Sequence, residues 1–326
     1  MPATAATEPG ALSAGDATSD GRAGVTAVVV THNSSVYVER CLAALSEATD
    51  LVIVVDNAST DGGPELIRSR FPAARLVELE TNHGFAVACN AGARDVKTRY
   101  LLFVNPDAWP VGPAISALVA AAEDNPATGL IGPALLNDDG SPQRSVFGYP
   151  RGVASLLALA AAPRIVSALY GGRWAAGLWV RRRFDHGADG EVVVLGRRVF
   201  LSGAALLARR TAFEEAGGFD ERFFFFSEEA DLCFRLAERG WSIALCPGAP
   251  FVHVGGASSP ASVDWRYAEL LRSYLLFLAK RDGVQRTQRT HRLLVRILAL
   301  RAALTPGEAG RRLERTVARL RSIELS

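Results

Sequence analysis

Val25–Asp56 reads VTAVVVTHNSSVYVERCLAALSEATDLVIVVD. Its two ends, Val25–Thr31 and Leu51–Asp56, are continuous apolar runs rich in β-branched residues. Such runs are typical of strands buried on both faces, as in a parallel sheet. Between them Ser34 or Ser35 can cap a helix on which Tyr37, Cys41 and Leu45 fall at i, i+4 and i+8. The stretch is therefore a strand–helix–strand unit.

The same alternation continues outward. Pro64 can open a second helix after Gly62-Gly63, and Arg75–Leu79 reads as a third strand. Gly84–Arg94 reads as a helix, Tyr100–Asn105 as a strand and Ala114–Asp124 as a helix. The order predicts an α/β fold with a mostly parallel central sheet and helices on both faces. Ligands of such sheets bind beyond the C-terminal strand ends. Three polar clusters fall there: Thr31-His32-Asn33, Asp56-Asn57-Ala58-Ser59 and Asn105-Pro106-Asp107. After about residue 135 the pattern loosens. Leu156–Tyr170 reads as an apolar helix and Val199–Ala208 as a strand or buried segment. Glu228–Arg239, Trp265–Lys280, Thr290–Leu304 and Glu308–Ile323 read as helices.

Composition bounds the class. The chain has 326 residues, 49% apolar and 21% charged, the balance of a globular protein. Residues 1–24 carry almost no large apolar side chain, so this segment is expected to be disordered, and it lacks the pattern of a secretory signal. The apolar stretch Gly152–Pro163 is about 12 residues, short of the roughly 20 a membrane span needs. The four cysteines show no CxxC spacing and read as reduced core residues of a cytoplasmic protein. Net charge is +2, yet Asp264–Ser326 holds 14 Lys/Arg against 6 Asp/Glu. That basic tail either meets a negative partner or solvates a helical face. Nothing in the chain calls for nucleic acid.

Several residues can carry chemistry. Asp56 ends a strand, where it serves a turn or accepts hydrogen bonds from a nucleobase imide and ribose. Asn82–Gly92, NHGFAVACNAG, opens a helix after Gly84, which either brings backbone amides to a phosphate or sugar, or packs a tight turn. It is neither GxGxxG nor GxxxxGK[ST]. Asp107 leaves a strand beside Asn105 and Pro106, and can help hold Mg²⁺ or Mn²⁺ together with substrate phosphates. Glu228, Glu229 and Asp231 crowd a helix start, a position that favours acids in any case. The four phenylalanines before them, Phe223–Phe226, add an apolar wall that raises a carboxyl toward the range of a general base. His253 can complete a metal site beside Asp107 as a neutral imidazole.

Taken in order, these segments resemble the inverting nucleotide-sugar glycosyltransferases of family 2, over about Val25–Ser259. The matching motifs are VVVTHN, VVDNASTDG, NHGFAVACNAG, NPD, SGAALLARR, GGFDERFFFF, EEADLCFR and HVGGASS. The resemblance implies a GT-A fold over residues 25–263. Residues 25–135 would form the nucleotide-sugar half, residues 136–263 the acceptor half, and residues 264–326 a basic helical extension. It implies that Glu229, or its neighbour Glu228, is the catalytic base. Thr31, Asn33, Asp56, Asn82, Gly84, Asn90, Asn105 and Asp107 would hold the donor. Ser202, Gly203, Phe226 and Asp231 would line the acceptor side, and Asp107 and His253 would hold a divalent metal. The NHGFAVACNAG stretch is similar to the rhamnosyltransferase-like branch. That branch implies dTDP-rhamnose as donor and a polyprenyl-diphosphate-linked saccharide as acceptor, met at the cytoplasmic face of a membrane through the basic helices. A homo-oligomer is compatible with it. Two departures stand out. Asn105 replaces the first acid of the family's DxD, and Glu228-Glu229 replaces its Glu-Asp pair. There is no QxxRW, so single-sugar addition is expected. A UDP- or GDP-sugar donor, a sugar-1-phosphate nucleotidyltransferase and an inactive nucleotide-sugar-binding scaffold are the competing readings.

Overall fold

The structure is a computed structural model that describes residues 24–150, 191–255 and 263–325. The expectations for residues 1–23 and for Leu156–Tyr170 fall outside the described residues.

The first half alternates as the apolar runs require. β1 (Val25–Thr31), β2 (Leu51–Asp56), β3 (Arg75–Glu78) and β4 (Tyr100–Val104) form a parallel set in the order β3-β2-β1-β4. All seven residues of β1 are buried. Alternate side chains enter different cores, because successive residues of a strand face opposite ways. Val25, Ala27 and Val29 pack with α1 (Ser35–Ala48) and α4 (Ala114–Asp124), whereas Val28 and Val30 pack with α3 (Phe85–Ala93). α2 (Gly63–Arg70) starts on Pro64, whose missing N–H costs nothing in a first turn.

Beyond β4 the sheet is mixed. The apolar run Val199–Ala208 divides into β9 (Val199–Leu201) and β10 (Ala205–Arg209), separated by Ser202-Gly203-Ala204. β10 lies antiparallel between β4 and β6 (Thr128–Leu136), with Leu206 opposite Phe103 and Leu207 opposite Ile131. β11 (Ser242–His253) then pairs parallel with β6 and antiparallel with β5 (Ala108–Pro110), setting His253 opposite Ala108. Short β7 (Val146–Gly148) pairs with β9, and β8 (Val193–Val194) with β11. α5 (Arg210–Glu215) and α6 (Glu228–Glu238) follow on the α3 side.

Three helices complete the chain: α7 (Val263–Asp282), α8 (Val284–Leu304) and α9 (Gly307–Arg321). They share a third core built on Leu271, Leu275, Phe277, Leu294, Leu298 and Leu320, which also takes in Phe223. Tyr149 stacks on Phe277 at 5.2 Å, and Phe224 meets Trp265 edge-on at 5.6 Å. One face of the basic extension is thus packed on the segment that precedes α6.

Candidate active site

The polar clusters at the ends of β1 and β2 form one zipped pair of turns. Thr31 and Asp56 are register partners, and Asn57 N–H donates to the Thr31 carbonyl at 2.8 Å. Asn33, at φ +51°, accepts from Thr60 N–H at 2.7 Å, while its own N–H donates to Ser59 Oγ. Asp56 serves the turn and has one oxygen to spare. Its Oδ2 accepts from Ser59 N–H at 2.9 Å in a turn, and its Oδ1 is buried with no hydrogen-bond partner.

Asn57 is a residue whose importance the sequence did not signal. Its Nδ2 donates to the Gly84 carbonyl at 3.1 Å and its Oδ1 accepts from His83 N–H at 2.9 Å. It therefore fixes the NHG segment against the turn that follows β2. Asn82 Oδ1 accepts from Gly84 N–H at 3.0 Å within the same turn. Gly84 must be glycine: φ is +87°, and a Cβ would lie 2.3 Å from the Phe224 carbonyl oxygen. That close approach joins the Asn82–Gly84 loop to the phenylalanine run, and Phe85 N–H donates to the same carbonyl at 2.9 Å. Asn90 faces elsewhere. Its amide brackets the Phe219 backbone by two bonds of 2.9 Å and reaches Glu221 at 3.1 Å, so it holds the GGFD turn instead of opening on a pocket.

The Asn105-Pro106-Asp107 turn sits between β4 and β5. Asn105 N–H donates to the Ala204 carbonyl at 2.9 Å, and Val254 N–H donates to the Asp107 carbonyl at 3.1 Å. Asp107 is 1% exposed and its Oδ1 has no hydrogen-bond partner. His253 Nε2 lies 3.6 Å from that oxygen, beyond hydrogen-bond reach. Burial pushes the His253 imidazole below its ordinary value, and the Asp107 charge only partly opposes this, so the ring is neutral at pH 7. An orphaned carboxylate oxygen facing an imidazole nitrogen is a donor set suited to a divalent cation. Among the described residues no group of three or more His, Cys, Asp or Glu closes a metal cage, so substrate oxygens would have to complete the shell.

The acidic cluster begins α6 on a strained turn. Phe226 and Ser227 have φ +69° and +66°, a conformation costly for two successive non-glycine residues. Glu228 is buried, Glu229 half-buried, and each has an Oε2 without a hydrogen-bond partner. Burial pushes Glu229 up to about 7. Burial, with the Glu229 charge second, pushes Glu228 well above the usual carboxylate range. A Cβ on Gly203 would rest 3.6 Å from the Glu229 Cβ and Cγ, in ordinary contact. The Ser202-Gly203-Ala204 turn thus lies beside Glu229 and bonds the Asn105 backbone, which brings the acidic cluster and the NPD turn near one another.

Two further candidates face the fold. Asp231 is fully buried and ion-paired, through Oδ2 to Arg235 Nε at 2.6 Å and through Oδ1 to Lys280 Nζ. Phe226 packs against the core of the C-terminal helices. Leaving a buried carboxylate oxygen unpaired costs of order 1–3 kcal/mol. Asp56, Asp107, Glu228 and Glu229 together carry four such oxygens.

Comparison with known proteins agrees in kind. Residues 26–148 match the glycosyl transferase family 2 description, and residues 154–305 match glycosyl transferase family group 2. N-acetylglucosaminyl-diphospho-decaprenol L-rhamnosyltransferase of Mycobacterium tuberculosis is 33% identical over 272 residues, 78% of this chain and 84% of that protein. The O-antigen biosynthesis protein RfbC of Myxococcus xanthus is 26% identical over 215 residues, 64% of this chain and 15% of that protein. Among solved structures, GalNAc-T7 with UDP, GalNAc and Mn²⁺ superposes with a TM-score of 0.53 at 13% identity, covering 81% of this chain and 51% of that one.

Proposed function

This chain belongs to glycosyl transferase family 2, and we propose that it moves a single L-rhamnosyl unit from dTDP-rhamnose to a polyprenyl-diphosphate-linked N-acetylglucosamine. The observation that carries the substrate reading is the 33% identity to a rhamnosyltransferase acting on such an acceptor, across 84% of its length. The division into a nucleotide-sugar half, an acceptor half and a helical extension belongs to the same proposal.

In this reading the free oxygen of Asp56 accepts from the nucleobase imide, and the Thr31–Asn33 turn closes on the nucleoside. Asn82 and Gly84 shape the loop beside the donor, with Asn57 as their anchor. Asp107 Oδ1 and His253 Nε2 would hold Mg²⁺ or Mn²⁺. A divalent cation there supplies Lewis-acid stabilisation of the negative charge that builds on the diphosphate as it leaves. Glu229 takes the proton of the acceptor hydroxyl. That oxygen forms a bond to the anomeric carbon from the face opposite the diphosphate, the carbon–oxygen bond to the diphosphate breaks, and its electron pair leaves with the phosphate. One displacement inverts the anomeric centre. Burial and the Glu229 charge hold Glu228 well above the usual carboxylate range, and Gly203 lies beside the base on the acceptor side.

The decisive test offers the protein each of dTDP-rhamnose, UDP-N-acetylglucosamine and GDP-mannose with a polyprenyl-diphosphate N-acetylglucosamine acceptor and Mn²⁺. The product should gain one deoxyhexose from dTDP-rhamnose alone. Transfer from a UDP or GDP sugar would overturn the donor, and no transfer from any of them would favour a scaffold.

The acceptor's lipid places the work at a bilayer, and α8 offers a face for one. The helix has five arginines and no acid. Leu293, Leu300 and Leu304 are 42%, 64% and 74% exposed, and they interleave with exposed Arg286, Arg289 and Arg296 on the side opposite the buried Leu294, Leu298 and Ala302. Exposed arginines beside exposed leucines suit an anionic surface. No described helix is long and apolar enough to span a membrane. Converting Arg289 and Arg296 to glutamine should lower binding to phosphatidylglycerol vesicles about 25-fold, at about fivefold per arginine near an anionic surface. Equal sedimentation of the variant and the parent chain would remove this role.

A further inference from the structure

Among the described residues, His253 is held by a side chain from a part of the chain that no motif marks. Gln143 follows the turn Asn137–Ser141, which is closed by Asn137 N–H to the Ser141 carbonyl at 2.8 Å and by Gly140 N–H to the Asn137 carbonyl at 2.9 Å. Gln143 N–H donates to the Leu135 carbonyl at 2.7 Å, which fixes its backbone beside the end of β6. Its carboxamide then reaches across to β11. Nε2 donates to the His253 carbonyl at 2.9 Å and to Asn137 Oδ1 at 3.0 Å. Oε1 lies 2.7 Å from His253 Nδ1.

These contacts admit one orientation of the amide. Turned over, it would set its oxygen against the His253 carbonyl and Asn137 Oδ1, two acceptors, at the same short distances. In the orientation that satisfies both, Oε1 can only accept, so Nδ1 must carry the ring proton. In a neutral imidazole the other nitrogen is then bare. That nitrogen, Nε2, is the one turned toward the orphaned Asp107 Oδ1 at 3.6 Å. We propose that Gln143 is a positioning residue of the metal site: by accepting from Nδ1–H it selects the His253 tautomer whose Nε2 lone pair faces Asp107 and can bind a divalent cation.

The departure at Asn105 gives this arrangement its weight. With asparagine where the family carries its first acid, the protein's side of the site rests on one carboxylate and one imidazole. A histidine presenting Nε2–H would turn a proton toward the cation and leave Asp107 alone. Partners behind a metal-binding histidine are worth about 10- to 100-fold in metal affinity. The inference rests on reading Asp107 and His253 as the metal site.

The test uses the full chain and its Gln143→Met variant, which keeps volume and loses both hydrogen-bonding ends. Long-range ¹⁵N–¹H correlation of the imidazoles, with His253 assigned by its loss in His253→Phe, reads the tautomer directly at a pH where the ring is neutral. Mn²⁺ electron paramagnetic resonance in saturating dTDP reads metal affinity, and dTDP binding in EDTA serves as the control. The expected result is Nδ1–H in the parent chain, an Nε2–H or mixed population in Gln143→Met, and Mn²⁺ binding weakened 10- to 100-fold with metal-free dTDP binding unchanged. Nε2–H as the main form in the unmodified chain would overturn the proposal, and needs no variant to fold. A Gln143→Met variant with parental tautomer and Mn²⁺ affinity would overturn it too. If the parent chain binds no Mn²⁺ with the nucleotide, the metal reading itself falls, and the tautomer spectrum shows separately whether Gln143 orients His253.

Discussion

Glu229→Gln should lower kcat by about three orders of magnitude while leaving dTDP-rhamnose binding within about twofold, within the range by which a positioned general base contributes. Glu229 starts α6 on a turn held in the left-handed region at Phe226 and Ser227, and its Oε2 finds no partner in the protein. Glutamine keeps the shape but cannot take a proton. Burial has raised the carboxyl to about 7, where its base form is half-populated at neutral pH. The base must be ionised, so kcat/KM should rise with pH through about 7 and level off above it. The residual rate of Glu229→Gln should lack that inflection. A larger loss in Glu228→Gln than in Glu229→Gln would move the base one residue, and loss of donor binding in Glu229→Gln would remove its assignment as base.

Lys280→Met should cost about 3 kcal/mol of folding stability, read by urea denaturation, although Lys280 lies about 50 residues beyond the acidic cluster in sequence. Asp231 is fully buried, and Lys280 pairs with its Oδ1 while also donating to Asp220 Oδ2 at 2.7 Å. Lys280 Nζ also stands 5.7 Å from the Phe223 ring centroid, which adds a smaller cation–π contribution. Burial alone would raise Asp220, but hydrogen bonds from Arg222 and Lys280 more than reverse this and hold it below the usual carboxylate range. Removing the ammonium leaves Asp231 with Arg235 alone, and a buried charge stripped of a partner is among the most damaging single changes. The figure sits at the low end for such pairs because Lys280 is 22% exposed and Arg235 remains. Lys280→Arg should recover part of the loss. Full stability in Lys280→Met would mean that the extension is held by its apolar core alone.

The parallel part of the sheet was legible in the chain for a plain reason. Val25–Thr31, Leu51–Asp56 and Tyr100–Val104 are apolar on both faces and separated by helical segments, and parallel strands covered on both sides require both properties. Val199–Ala208 is apolar without a period, so neither its division at Ser202–Ala204 nor the antiparallel place of β10 between β4 and β6 could be read from it. Asn90 and Asp231 show the limit at the site. An asparagine in a glycine-bounded helix has the same sequence appearance whether it meets a sugar or a backbone, and Asn90 meets Phe219. Asp231 had a local partner within view, Arg235 one helical turn on, but Lys280 comes from a separate helix. Asn57 and Gln143 act on backbone and ring atoms 26 to 110 residues away, so only the folded chain reveals them.

The account stands or falls on a single displacement at one sugar carbon, with Glu229 removing the acceptor proton. The most direct test is the anomeric configuration of the product by NMR, through its one-bond C1–H1 coupling, beside that of the dTDP-rhamnose supplied. The account predicts a glycosidic bond of the opposite configuration to the donor. A product that retains the donor's configuration would require two displacements or a front-face path, and would contradict the role given to Glu229.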